Sequence, residues 1–207
     1  MDYNINFNIN TITNGHHKYT YRGIKTIKCP FDYALYQMII FDVKPDLIIE
    51  IGTNHGGSSL YLADMLDIIG KGTIHTIDIM EFPISELIKN NKRIKRFVLK
   101  NGFKDYDLNL AKDFEKILVI DDGSHHYSDV IASLEKFKHL ISENSYFIVE
   151  DGILDKLGMA NEYGGGPNRA ILEFLTKNTD FKIDGNLCNF FGENATFNTF
   201  GYLKKTK

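Results

Sequence analysis

Short apolar runs ending on acidic residues alternate along this chain with stretches whose apolar positions recur at helical spacing. Leu47 to Ile51 is one such run and reads as a buried strand, as do Thr73 to Asp78, Ile117 to Ile120 and Ser145 to Val149. Arg96 to Leu99 reads as a weaker strand. Between them, Phe31 to Phe41 follows a proline at the first helical position, and Gly57 to Asp67 turns Leu62, Met65 and Leu66 inward. Pro83 to Asn90 is a weak helix. Val130, Leu134, Phe137 and Ile141 form the stripe of a core-facing helix. After Gly164-Gly165-Gly166-Pro167 the pattern predicts a helix near Asn168 to Lys177, then closing strands over Phe181 to Asp184 and Thr196 to Leu203.

Strand alternating with helix predicts a doubly wound, Rossmann-like α/β sheet, mostly parallel, in one domain over residues 21–207. Residues 1–20 form an N-terminal arm, in which Asn4 to Asn10 alternates polar and apolar with period two. That stretch reads as an edge strand, a partner-contacting arm or a disordered tail. At 207 residues with 43% hydrophobic and 25% charged positions, the chain has the composition of an ordinary globular domain. A net charge of −3 gives no broad attraction to nucleic acid or anionic membrane. The basic run Lys89, Lys92, Arg93, Lys95 and Arg96 has no interleaved aromatics and reads as a solvated face. No apolar stretch nears the roughly 20 residues of a membrane span. Cys29 and Cys188 share no short spacing, so a disulfide framework or zinc site is not expected, and a cytoplasmic setting is.

In parallel sheets ligands bind beyond the carboxyl ends of the strands. Glu50, Asp78, Asp121, Asp122, Glu150 and Asp151 all fall there. Glu50-Ile-Gly52-Thr-Asn54-His-Gly56-Gly-Ser58 is a strand, a glycine-rich turn and a helix start. Gly52 and Gly56 would let the backbone approach a ligand closely. Ser58 sits at a helix N-terminus suited to a carboxylate, and Asp78 can accept from both hydroxyls of a ribose. Asn54 stands where a dinucleotide fingerprint has its second glycine, so a nucleoside without a diphosphate is the better ligand.

Asp121-Asp122-Gly-Ser-His125-His126 follows one strand and Glu150-Asp151 the next. Asp122, Glu150 and Asp151 converging without a cation would repel one another. Magnesium or another hard divalent cation removes that cost. His125 is the natural general base, with His126 its competitor.

These residues resemble the cephalosporin hydroxylase and rhamnosyl O-methyltransferase family of class I methyltransferases. The resemblance runs from about Tyr21 to Leu203. It is carried by Pro30-Phe-Asp32, Lys44 to Gly52, Gly56 to Ser59, Asp122 to His125, Val149 to Asp151, Gly166-Pro167 and Gly201-Tyr-Leu203. The Asp-Asp-Gly-Ser-His and Val-Glu-Asp pair also resembles metal-dependent sugar O-methyltransferases of macrolide biosynthesis. The resemblance implies a seven-stranded sheet with an antiparallel last strand and an S-adenosylmethionine site lined by Glu50, Gly52, Ser58 and Asp78. It also implies magnesium ligands Asp122, Glu150 and Asp151, with His125 as base. Asn54, Gly56 and Asp122 complete the expected cofactor contacts. One departure is that Lys100-Asn101-Gly102 stands where the family often has an acidic residue after the third strand. The expected function is metal-dependent methyl transfer to a hydroxyl of a small polyol, a sugar first, in carbohydrate biosynthesis, with homo-oligomers common in the family. A non-catalytic nucleoside-binding protein and an NAD-linked oxidoreductase are the alternatives.

Overall fold

The computed structural model describes residues 8–207. The edge-strand and arm readings of Asn4 to Phe7 lie outside them. The Asn8 side chain accepts from the backbone of Asn10 and Thr11, and this cap starts a helix, α1 (Ile9–His16), where alternation had suggested extended chain. A two-stranded hairpin, β1 (Thr20–Tyr21) and β2 (Ile24–Lys25), follows, turning on Arg22 and Gly23 with φ of 49° and 79°. Tyr21 and Arg22 of the hairpin bond Asp64.

The alternation then runs as read. α2 (Pro30–Val43), β3 (Leu47–Ile51), α3 (Gly57–Ile69), β4 (Thr73–Asp78), α4 (Glu86–Lys89) and β5 (Ile94–Val98) form the first half. β6 (Ile117–Asp121), α5 (Tyr127–Phe137), β7 (Tyr146–Val149), α6 (Gly166–Lys177), β8 (Phe181–Ile183), α7 (Gly185–Cys188) and β9 (Tyr202–Lys205) form the second. Seven strands make one sheet in the order β5-β4-β3-β6-β7-β9-β8. All neighbours pair in parallel except β9, antiparallel to both β7 and β8. The chain winds outward from β3 in one direction, then restarts at β6 on its other side. The β3–β6 boundary is thus the switch point where ligands bind in such sheets.

Side-chain alternation along each strand sorts the core into two layers. Leu47, Ile49, Ile51, Val119 and Phe147 face α5 and α6. Ile48, Ile74, Leu118, Ile120 and Ile148 face α2 and α3. Both faces are covered, which explains the near-continuous apolar runs. The closing strand is shorter than Thr196 to Leu203. Thr196 to Phe200 instead form a loop, because the buried Asp32 carboxylate draws it in: Asp32 accepts from Thr196 Oγ1, from Phe197 N at 3.1 Å and from Tyr202 Oη at 3.0 Å. In the basic run, Lys89, Arg93 and Arg96 pair with Glu86, Asp67 and Glu81. Cys29 and Cys188 are buried free thiols. Among the described residues, no helix is long and apolar enough to cross a membrane.

Candidate active site

Register places the key residues in one row. Ile51 lies opposite Asp121, and Asp121 opposite Val149. Gly52, Asp122 and Glu150, each the next residue of its strand, therefore emerge side by side. The row is tied by Gly52 N to Ile77 O at 2.8 Å, Asp122 N to Ile51 O at 2.9 Å and Glu150 N to Asp121 O at 2.9 Å.

The glycine turn follows β3. Gly52 has φ +96°, and a Cβ there would fall 2.1 Å from the Asp122 carbonyl oxygen. Gly56, at φ +79°, would meet Ile88 Cδ1 at 2.6 Å. The space at both glycines is filled by the protein itself, so close chain-to-chain approach, rather than ligand approach alone, demands them. Asn54 adopts φ 48° and donates its N–H to Asp78 Oδ2 at 2.8 Å. Asp78 thereby pins the turn while its side chain faces the main cavity.

That cavity holds about 710 Å³, within the size range of small-molecule and cofactor sites. Gly52, Asn54 and Asp78 line it on one side, and Asp122, His125 and Asp151 on another. Ile79, Met80, Phe82 and Phe103 supply apolar wall. Asn101 and Gly102 also line it, and Asp105, whose carboxylate accepts from Asn101 Nδ2 at 3.0 Å, brings an acidic group there. A smaller cavity of about 30 Å³ beside it is lined by Lys25, Thr26, Lys28, Gly56 and Ser58. Ser58 Oγ is buried there without a protein partner at the N-terminus of α3.

Glu50 lines neither cavity. Only 1% exposed, its Oε2 accepts from Ser59 Oγ and from Thr76 Oγ1 at 2.6 Å. Thr76 Oγ1 in turn lies 2.7 Å from Thr53 Oγ1 in the turn. Glu50 therefore supports the wall from beneath, while its Oε1 has no protein partner.

One ligand atom each from Asp122, His125 and Asp151 lie within 4.8 Å of one another. His125 Nε2 is 3.3 Å from Asp151 Oδ2 and 3.9 Å from Asp122 Oδ1. His125 and Asp151 are both left-handed, at φ 58° and 59°, a conformation that costs energy for non-glycine residues and that concentrates at functional sites. His126 is solvent-exposed at the start of α5 and does not line the cavity. Location thus separates the two histidines.

Glu150 is held otherwise. It is 4% exposed and accepts from Lys28 Nζ and from Tyr36 Oη at 2.6 Å. Lys28 Nζ also lies 2.5 Å from Asp122 Oδ2. The expected three-carboxylate set is therefore split: Asp122 and Asp151 meet across His125, and Glu150 joins Asp122 through Lys28. Burial pushes the Glu150 and Asp122 carboxyls up, and neighbouring carboxylates add to it despite Lys28. Burial alone would neutralise Lys28, yet the Asp122 and Glu150 carboxylates outweigh it and hold its pKa well above the usual lysine range.

Lys28, Tyr36 and Asn198 were missed from sequence. Tyr36 Oη accepts from Asn198 Nδ2 at 3.1 Å, and Asn198 Nδ2 is 3.3 Å from Tyr202 Oη, which reaches Asp32. A lone lysine between Ile27 and Cys29 carries no spacing that marks it. Its importance comes from the hairpin, which lays Lys25 to Lys28 against the N-terminus of α3: a Cβ on Gly57 would fall 1.9 Å from Thr26 Oγ1.

A sheet of this order, with its site at the β3–β6 boundary, is the class I methyltransferase architecture. It is shared with CmcI in a structure with magnesium and S-adenosylmethionine, at TM-score 0.64 and 22% identity over 92% of this chain and 78% of that one. MycE from the mycinamycin biosynthetic pathway, in complex with magnesium, S-adenosylhomocysteine and mycinamycin VI, is similar at TM-score 0.51 and 20% identity, over 68% of this chain and 39% of that one. The rhamnosyl O-methyltransferase of Mycobacterium bovis is 29% identical over 193 residues, 88% of this chain and 77% of the relative. The family model described as Rhamnosyl O-methyltransferase/CmcI matches residues 14–206, and the chain belongs to that family. It is an S-adenosylmethionine-dependent O-methyltransferase, not the scaffold or nicotinamide enzyme raised as alternatives.

Proposed function

We propose that this enzyme transfers the methyl group of S-adenosylmethionine to a hydroxyl of a sugar, with a divalent cation, magnesium or manganese, held beside the donor. The observation that carries this reading is the convergence of Asp122, His125 and Asp151 on the cavity that the glycine turn also lines. Rhamnosyl O-methyltransferase is the name borne by the curated relatives, and a sugar acceptor is carried over from it. The cofactor set is Glu50, Gly52, Asn54, Gly56, Ser58, Asp78 and Asp122, with Glu50 acting through the turn.

The donor's amino-acid end fits the Ser58 side, where an unpartnered hydroxyl and the α3 N-terminus face the small cavity. Asp78 is positioned to accept from ribose hydroxyls while bonded to Asn54 and Met80 N–H groups. A carboxylate set suits a hard ion such as magnesium or manganese, whereas the iron of an oxygenase takes two histidines and one carboxylate. Asp122, Asp151 and the Glu150 side would hold that ion, whose charge makes an acceptor hydroxyl more acidic. His125 Nε2 takes the hydroxyl proton, and the Asp151 carboxylate 3.3 Å from that nitrogen stabilises the imidazolium that forms. Holding both substrates in one cavity supplies the alignment on which methyl transfer depends.

The test uses labelled S-adenosylmethionine and a panel of rhamnosides and other vicinal-diol sugars. Transfer should stop in chelator and return with magnesium or manganese. His125→Ala should lower kcat by about 10²–10⁴ while S-adenosylhomocysteine still binds. Undiminished turnover in chelator, or in His125→Ala, refutes the corresponding part of the reading.

A further inference from the structure

Lys28 is a cation already placed where the carboxylates of the site converge. Its side chain is 2% exposed, and its ammonium reaches Asp122 Oδ2 at 2.5 Å and Glu150 Oε1. Tyr36 Oη bonds the same Glu150 oxygen at 2.6 Å. The opposite oxygen of Asp122, Oδ1, is the one nearest His125 Nε2. Asp122 therefore shows one oxygen to Lys28 and the other to the His125–Asp151 side.

We propose that Lys28 is a built-in competitor for the divalent cation: it holds Asp122 and Glu150 in place and weakens the ion's grip on them. This rests on the metal-dependent reading above. A divalent ion of this class binds carboxylate oxygens at about 2.0–2.6 Å, and two of the nearest oxygens are engaged by the ammonium. With Asp122, Glu150 and Asp151 ionised, as a bound cation favours, they carry three negative charges against one positive charge on Lys28, a surplus that matches a single divalent ion. Without Lys28 the surplus rises to three, Asp122 Oδ2 is released, and Glu150 Oε1 keeps only the Tyr36 hydroxyl. Lys28 is thus a positioning residue: it keeps like-charged buried carboxylates together and leaves the ion exchangeable.

Manganese affinity, read by electron paramagnetic resonance of free Mn²⁺, tests this in the wild type, Lys28→Met, Lys28→Gln and Lys28→Arg, with melting temperature followed in chelator and in manganese. Lys28→Met and Lys28→Gln should bind Mn²⁺ at least about tenfold more tightly, the size expected when one like charge leaves a partly buried site. Both should melt lower than wild type in chelator and recover more of the loss when manganese is added. Lys28→Arg, which keeps the charge, should bind within a few-fold of wild type. Lys28→Gln keeps the test open if the methionine variant does not fold. Equal or weaker Mn²⁺ binding in the neutral variants, with normal binding in the wild type, overturns the role of Lys28 alone. Absence of Mn²⁺ binding in every form overturns the metal-dependent reading together with it.

Discussion

Replacing Gly52 by alanine tests the contact on which the site's geometry turns. The new Cβ would sit 2.1 Å from the Asp122 carbonyl oxygen and 2.8 Å from its carbonyl carbon. Both are backbone atoms, so the two strand ends must part by roughly 1 Å or more to reach ordinary contact. The residue must also hold φ +96°, where an L side chain is strained. Gly70, which caps α3 at the end away from the turn, separates the two effects. It has φ +80° with nothing within 4 Å of a Cβ, so Gly70→Ala carries strain alone, ~1–2 kcal/mol. Overpacking at Gly52 adds ~1–3 kcal/mol, and each kcal/mol lowers Tm by about 2–4 °C in a domain of this size. Calorimetric titration with S-adenosylhomocysteine should find Gly70→Ala unchanged and Gly52→Ala weakened at least about tenfold, a loss of ~1.4 kcal/mol. Two variants that melt alike and bind the probe alike would refute the argument that Asp122 and the turn are in contact through Gly52.

Three further outcomes follow from the buried polar groups. Burial raises the Asp121 carboxyl to about 6, against hydrogen bonds from Ser133 and Gly123. The folded chain then holds that proton more tightly than the unfolded one, so the group costs stability above pH 6, by ~3 kcal/mol, and the cost fades as pH falls from 6 towards 4. Asp121→Asn should flatten the change in denaturation free energy across that window, and an unaltered slope would remove Asp121 as its source. Asp32, raised to about 6 chiefly by burial, has the same sign, so Asp32→Asn should flatten the slope too, measured in the same denaturant titrations. Tyr36→Phe deprives Glu150 of a donor at 2.6 Å and Asn198 of an acceptor at 3.1 Å. It should cost ~1–3 kcal/mol in urea unfolding; a variant as stable as wild type would show that water replaces the hydroxyl.

The parts legible in the sequence were those with a short-range signature. Strands β3, β6 and β7 announced themselves because both faces of the sheet are covered, which forces runs such as Ile117 to Ile120 to be apolar throughout. Their acidic ends followed at once, and with them the row Gly52, Asp122, Glu150. What the sequence concealed was long-range. Lys28 meets Asp122 and Glu150 across 94 and 122 positions, and neither partner alters the local pattern around Ile27 or Cys29. Thr196 to Phe200 has the composition of a strand, but Asp32 pulls it into a loop from 164 positions away. Glu50 was correctly singled out as a strand-end acid, yet its role changed because Thr76 and Ser59 intercept one of its oxygens before the cavity. Asn8 and Thr11 form a visible capping pair, and alternation of the preceding residues obscured it.

Inserting β9 between β7 and β8 has a consequence for how the chain is made. Translation delivers β7 and β8 well before Tyr202 to Lys205 leave the ribosome. Until then the exposed edge of β7 has no partner on that side, and Asp32 lacks the Tyr202 hydroxyl. A nascent chain stalled short of Tyr202 would carry an open sheet edge and a buried acid short of one donor, the kind of intermediate that chaperones retain.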